Sequence, residues 1–597
     1  MKCLTLKKPL AVLALVAIAF TACKKEQPTN PADEQDPTDD VVAVVDSASM
    51  EDAPGLAMAA NLAASTYYIS PVGNNLTGDG STGKPWKTLY KATSAVTTAG
   101  STIHIKAGTY TETKTSNLRA GVNLEGDGAT TTIVRGAVTA TYTALIEMQS
   151  PDRTSGNQSI SKITFNGQYV SEANHKTWLA IWITGRSNVS IHDCVIKNFY
   201  WRGVIFNGIN ENNPGTDAGK YHATGNTFYN NTITNSADYG SNSGGGSGAL
   251  NIGFQNGMLI YNNTIQQTER AEGKNGWPIK YWNQGWLKGV KIYNNKLIKK
   301  PYGGTYPGES GWDFAIEFFN IQGLEIYGND IQNGSIDLNY NYKGSYPFST
   351  WIHHNTISNP VLNSKVEGGI ILEFRTESAI IENNTFKNKS YGITFNTRGV
   401  ANKGGDRDNF VGGNTPGGYS YLVDNIIRNN LFYNMYQGQG IGNSFGIGVI
   451  SEGTDDPQIN NMQVYNNTIV TKAGNPSQIS IDLTSMPNGN GQNINIRNNI
   501  IQGFSYALKG SNGQTRINNL MFTHNNLYQN GNGNAVNWPA GNPTNYTNVN
   551  NLAVNPLFVS ATDFRLQALS PCINTGVMLG IPYLGTAPDR GYVETDQ

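Results

Sequence analysis

Six segments in the middle of the chain repeat one arrangement of side chains: LNIGF (Leu250–Phe254), IKYW (Ile279–Trp282), IEFF (Ile316–Phe319), IDLN (Ile336–Asn339), LEFR (Leu372–Arg375) and ITFN (Ile393–Asn396). Side chains alternate along a strand. With the aliphatic and aromatic positions inward, the first outward residues are Asn251, Lys280, Glu317, Asp337, Glu373 and Thr394. The next outward residues are Gly253, Trp282, Phe319, Asn339, Arg375 and Asn396. Stacked as neighbouring strands about 4.8 Å apart, the segments present a column Lys280–Glu317–Asp337–Glu373 on one face. Like charges across adjacent strands repel. Three neighbouring carboxylates therefore need a proton, a cation or a purpose; the bland alternative is a solvated face that is merely acidic.

Two reactions suit such a column. In the first, a uronic-acid polysaccharide undergoes β-elimination: Lys280 or Arg375 serves as base if its proton affinity is lowered, and Glu317, Asp337 and Glu373 hold Ca²⁺, a hard cation that prefers oxygen ligands. In the second, paired carboxyls hydrolyse a glycosidic bond, with neighbouring coils giving the shorter, retaining separation and alternate coils the longer, inverting one. The basic residues tip the balance slightly toward elimination. Trp277, Trp282, Trp286, Trp312 and Phe319 fall in or around the charged segments. They suit stacking on sugar rings, with Asn251, Asn339 and Asn396 holding hydroxyls, or they pack under inserted loops. A third possibility is a non-catalytic, glycan-binding or adhesive surface.

Positioning such a column requires strands that recur in register. A polar corner supplies the repeat: IYNNTI (Ile260–Ile265), IYNNKL (Ile292–Leu297), IYGNDI (Ile326–Ile331), IHHNTI (Ile352–Ile357), IENNTF (Ile381–Phe386), IRNNLF (Ile427–Phe432), VYNNTI (Val464–Ile469), IRNNII (Ile496–Ile501) and THNNLY (Thr523–Tyr528). It returns every 26 to 46 residues, the period of a solenoid. Asn tolerates the left-handed backbone of a tight corner, and stacked Asn side chains can hydrogen-bond from coil to coil. The expectation is a parallel β-helix. In the IHHNTI corner, His353-His354 are expected to replace the ladder Asn. Only 14% of the residues are charged, 67 are Gly, and the formal net charge is −1, which argues against a nucleic-acid partner.

The N-terminus carries Lys2, Lys7 and Lys8 and an apolar stretch from Pro9 to Phe20, too short for a membrane span and suited to a signal peptide. The stretch ends Thr21-Ala22-Cys23, which resembles a bacterial lipoprotein lipobox. That resemblance implies cleavage to leave Cys23 as a lipidated N-terminus, export, and anchorage to a bacterial outer membrane facing the periplasm or the cell surface. Residues 1–22 are then the leader and 23–64 an acidic, Pro-rich tether. Cys194 and Cys572 lie far apart and are expected to be buried free thiols.

The body opens with Tyr67–Gly73, Gly78–Ala92 and AGSTIHIKAGTYTE (Ala99–Glu112), and closes with NPLFVSATDFRLQALSPCINTG (Asn555–Gly576) and APDRGYVE (Ala587–Glu594). Both ends resemble the pectate-lyase superfamily of secreted proteins. The resemblance implies an all-β fold: one right-handed parallel β-helix over residues 65–597, with an N-terminal capping helix at Lys87–Val96, inserted loops, and action as a monomer. The stretch Glu373–Gly399 is similar to the catalytic segment of chondroitinase-B and alginate lyases. On that match Glu373 is a cation ligand and Arg398 a second basic residue. The Lys-Ser pair of those enzymes is missing, and Arg375-Thr376 stands nearby.

Overall fold

The computed structural model describes residues 64–595 apart from 172, 211–221, 238–246, 270–274, 284, 301–313, 361–367, 399–420, 439–443, 453–457, 475, 487–490, 512 and 532–535. Cys23 with its leader, Trp312, Asp406–Asp408 and Asp455-Asp456 lie outside the described residues. One coil shows the plan. Phe314–Phe319 forms a first face, Leu324–Tyr327 a second and Asp330–Gln332 a third, and each pairs in parallel with its counterpart on the next coil. Among the described residues the first two faces join in a sheet of 33 strands and the third forms a sheet of 14. Parallel crossovers are right-handed, and the chain is the all-β right-handed parallel β-helix that the sequence predicts.

The corners explain the Asn repeat. The first Asn of each pair takes the left-handed backbone, as at Asn262, Asn294, Asn383 and Asn429, and Gly328 and His354 stand in for it. The second Asn points inward and forms the ladder. Asn295 Nδ2 donates to Asn329 Oδ1 (3.0 Å), Asn329 to Asn355 (2.9 Å), and Asn355 to Asn384 (2.9 Å). Each Oδ1 also accepts the backbone N–H of the Asn one coil back, as Asn329 Oδ1 does from Asn295. The expectation for His353-His354 is corrected here: His354 takes the left-handed position, and Asn355 keeps the ladder unbroken. His353 instead ends a column of stacked rings, Tyr261–Tyr293–Tyr327–His353, with centroids 4.9 Å apart. That spacing measures the rise per coil.

Inside, one apolar core runs from Ile69 to Leu527. Small residues mark where the chain enters the first face: Ala249, Ala315, Gly369, Gly392 and Gly446 each precede the first inward aliphatic. A Cβ on Gly392 would meet the Gly446 carbonyl oxygen at 2.2 Å, so the corner admits no larger side chain there. At the N-terminal end the helix Leu89–Ala95 covers the first coils. It is capped by Thr88 and by Glu112, whose carboxylate accepts the N–H groups of Leu89 (2.7 Å) and Tyr90 (3.2 Å). At the other end Arg590 donates to the carbonyls of Asn525 (2.8 Å) and Asn550 (3.1 Å), which fastens the closing segment over the last coils. Cys194 and Cys572 are buried free thiols, and burial pushes the Cys572 thiol up to about 11.

Candidate functional site

The first face carries the charged column. Backbone register runs Asn251↔Lys280↔Glu317↔Asp337 across four successive coils. These three charged residues therefore share one file, as the sequence predicts. Lys280 Nζ lies 3.5 Å from Glu317 Oε2, 4.0 Å from the Trp277 ring centre and 4.8 Å from that of Tyr281. A carboxylate and two aromatic rings thus surround the Lys280 ammonium. Glu317 and Asp337 stand side by side on strands Phe314–Gln322 and Ser335–Tyr342.

The register corrects the fourth member. Asp337 pairs with Ile371, and Glu373 pairs with Asn339, two residues further along the strand. Ile370-Ile371-Leu372 is an uninterrupted apolar run, and the sequence reading took Leu372 where Ile370 belongs. A shift of two residues keeps the face but changes the file. Ile371 is the outward residue and packs with Trp277 and Phe314 into an apolar wall. The missed signal is the small residue at the entrance to each strand: Gly369-Ile370-Ile371 matches Gly392-Ile393-Thr394 and Ala315-Ile316-Glu317.

Glu373 belongs to a second file, Phe319↔Asn339↔Glu373↔Asn396. Asn396 Nδ2 donates to Glu373 Oε1 (3.3 Å). Arg375 leaves this file. The strand bulges between the pairs Asn339↔Glu373 and Asn341↔Thr376, and Phe374 has a left-handed backbone. Arg375 pairs instead with Glu377 (Nε to Oε1, 2.6 Å) and lies 4.8 Å from the Tyr342 ring. Arg398 ends the strand Tyr391–Arg398 opposite Glu452, and its side chain lies outside the described residues.

The expectation of an exposed face is also corrected. Lys280 is 8% exposed, Glu317 4%, Asp337 0% and Glu373 3%. Aromatic residues close both flanks: Trp277 and Phe314 on one, and Phe319 with Trp286, Tyr340, Tyr342 and Phe374 on the other. Trp282 turns away from the carboxylates and packs with Trp178, Trp201 and Ile205 on the preceding coils. The asparagines divide their groups. Asn251 Nδ2 donates to Tyr281 O (3.0 Å) and Asn339 Nδ2 to Phe318 O (3.4 Å). Among the described residues, the buried Oδ1 atoms of Asn251, Asn339 and Asn396 and Oγ1 of Thr394 accept no hydrogen bond. Buried acceptors normally find a donor, so these four atoms can each accept one more hydrogen bond.

Among the described residues no three His, Cys, Asp or Glu side chains gather as a metal cluster, in keeping with the displacement of Glu373 to the second file. The column also continues beyond the sequence-predicted residues. Glu147, Trp182 and Ile205 precede Asn251; Thr394, Gly448, Asp482 and Lys509 follow Ile371.

The fold and its lateral file of buried charge define an all-β parallel solenoid with a candidate site on its first face. No family model and no curated relative matches the chain. Among solved structures it is similar to the catalytic unit of a GH87 alpha-1,3-glucanase from Streptomyces thermodiastaticus (14% identity, TM-score 0.40, covering 66% of this chain and 62% of that one). It is also similar to an endo-xylogalacturonan hydrolase from Aspergillus tubingensis (13%, TM-score 0.36, 70% and 95%) and to the alginate lyase AlyF-OU02 (12%, TM-score 0.39, 64% and 83%). The chain thus spans less than two thirds of the glucanase's length. Likeness at this level carries no argument about chemistry, which rests on the residues of this chain.

Proposed function

We propose that the protein is a carbohydrate-active enzyme that hydrolyses glycosidic bonds of an extracellular polysaccharide, with Glu317 and Asp337 as its carboxyl pair. The observation that carries this is their direct register on adjacent coils, where stacked side chains recur at 4.9 Å. A retaining glycosidase places its two carboxyls about 5–5.5 Å apart. In that reaction one carboxyl protonates the leaving oxygen while the other attacks the anomeric carbon; water then releases the sugar with the first group acting as base. Lys280 holds Glu317 from the side away from Asp337, and the wall of Trp277, Phe314 and Ile371 keeps bulk water from that flank. The row of buried acceptors from Asn251, Asn339, Asn396 and Thr394 suits sugar hydroxyls.

β-Elimination on a uronate-containing glycan is the second reading, favoured by the ammonium of Lys280 within the carboxylate file, where it would neutralise a sugar carboxylate. On that reading Ca²⁺ is a further partner, and added Ca²⁺ raises the rate. Incubation with a panel of polysaccharides separates the readings: hydrolysis releases reducing ends without ultraviolet-absorbing unsaturated uronates, and elimination yields both. Binding without any product identifies a glycan-binding surface instead. We further propose that the enzyme is exported and held at the outer membrane by a lipid on Cys23.

A further inference from the structure

Three strand steps before Lys280 the same face carries a second constellation, of aromatic rings and hydrogen-bond donors. The file reads Trp182↔Ile205↔Asn251↔Lys280, which sets Trp182 about 19 Å from Glu317 at ~4.8 Å per step. Trp282 meets Trp182 edge-on (centroids 5.7 Å) and Trp201 (6.2 Å). Arg202 lies beside this cluster, its guanidinium carbon 3.6 Å from the Trp201 ring centre and 4.6 Å from that of Trp282. Two indole faces fix the plane of the guanidinium, which leaves its fork of N–H groups pre-oriented. Among the described residues, the buried Nε1–H groups of Trp182 and Trp282 donate to no acceptor. Trp182 and Arg202 are half-buried, so the constellation reaches the surface.

We propose that Trp182, Arg202 and Trp282 form a subsite for an acidic sugar residue of the same glycan, which stacks its ring on the indoles and offers its carboxylate or sulfate to Arg202. The proposal rests on the carbohydrate reading above and adds the charge of the substrate and the direction in which it lies, from the carboxyl pair toward the N-terminal coils. The two regions are complementary in kind: acceptors near the carboxyl pair suit hydroxyls, and donors at the platform suit an oxyanion. Glu147 pairs with Trp182 in register and is an acidic group beside the platform. Burial pushes its carboxyl above the usual range, against a hydrogen bond from the Ala144 backbone that lowers it.

The test is binding rather than turnover. Glucuronate-, galacturonate- and mannuronate-containing oligosaccharides, sulfated chondroitin oligosaccharides, and neutral cello- and xylo-oligosaccharides are titrated against the full chain and read by calorimetry and tryptophan fluorescence. At least one acidic oligosaccharide is expected to bind, more weakly as salt rises, and tenfold or more weaker in Trp182→Ala and Arg202→Ala with an unchanged thermal midpoint. Arg202→Lys keeps the charge but not the fork, and is expected to lose several-fold; it serves if Arg202→Ala does not fold. The uronate and sulfated arms tell the two oxyanions apart. The proposal is overturned if no acidic oligosaccharide binds, if neutral ones bind as tightly, or if the Arg202 variants bind unchanged. If wild type binds but cleaves nothing, the hydrolase reading falls and the subsite stands.

Discussion

Glu317 and Arg375 both lie in strands of the first face, yet they face different partners, and their substitutions separate accordingly. Glu317→Gln and Asp337→Asn are each expected to lower turnover by about a hundred- to ten-thousand-fold, the scale of positioned acid–base groups, in a reducing-sugar assay. Arg375→Ala should keep most of the activity, because its guanidinium sits with Glu377 and Tyr342 beyond the bulge. Equal losses in Arg375→Ala and Glu317→Gln would mean that Arg375, beyond the bulge, takes part in the reaction. Chelation by EGTA is expected to leave hydrolysis unchanged, and a rate restored only by Ca²⁺ would favour elimination. A second residue-scale prediction concerns Asp482, further along the file. Burial raises its carboxyl above the ordinary aspartate range, against a hydrogen bond from Thr484 N–H (2.8 Å) that lowers it. A raised acid binds its proton more tightly when folded, so ionisation destabilises the fold as pH climbs from the unfolded aspartate value through the raised one. Asp482→Asn should therefore raise the thermal midpoint at neutral pH, and the gain should vanish once the pH falls below the ordinary aspartate range. A constant gain at every pH would show that the carboxyl's charge is not its cause.

At the scale of the coil, the two residues of each corner carry different loads. Asn329 accepts from the backbone and side chain of Asn295 and donates to Ile292 O (2.9 Å) and Asn355 Oδ1 (2.9 Å). Asn329→Ala leaves several buried groups without partners, each costing about 1–3 kcal/mol. Asn294 holds only the left-handed backbone position, which glycine adopts freely and Gly328 already occupies one coil on. Chemical denaturation should find Asn294→Gly nearly neutral and Asn329→Ala strongly destabilising; similar costs for the two would refute this division. Phe318 lies wholly inside the core, and Phe318→Asp should prevent folding by burying an unpaired charge. The Asn corner was legible in the sequence because its chemistry is local. The entrance corner was not, because Gly369, Gly392 and Gly446 are small on account of atoms distant in sequence, the next coil's carbonyl oxygens and the core side chains Phe386, Phe432 and Ile469.

For the whole molecule, the expected lipid on Cys23 would tie the solenoid to a membrane through a tether of about 40 residues. No described helix is long and apolar enough to cross a membrane. Cys23→Ser should abolish incorporation of labelled palmitate and release the protein from the membrane fraction; a variant that still partitions through a lipid would sink the lipobox reading. The solenoid and the file Lys280–Glu317–Asp337 were legible in the sequence, since alternation along a strand and repetition between coils are one-dimensional patterns, and the capping helix was legible through the resemblance of the chain's two ends. Tertiary structure decided the rest. It moved Glu373 into the second file, turned Arg375 out through a bulge, buried the carboxyls between aromatic walls, and gathered Trp182, Arg202 and Trp282 from three coils into one platform. These depend on which residue faces which across a ladder, and a run such as Ile370-Ile371-Leu372 satisfies two registers until the neighbouring coils choose between them.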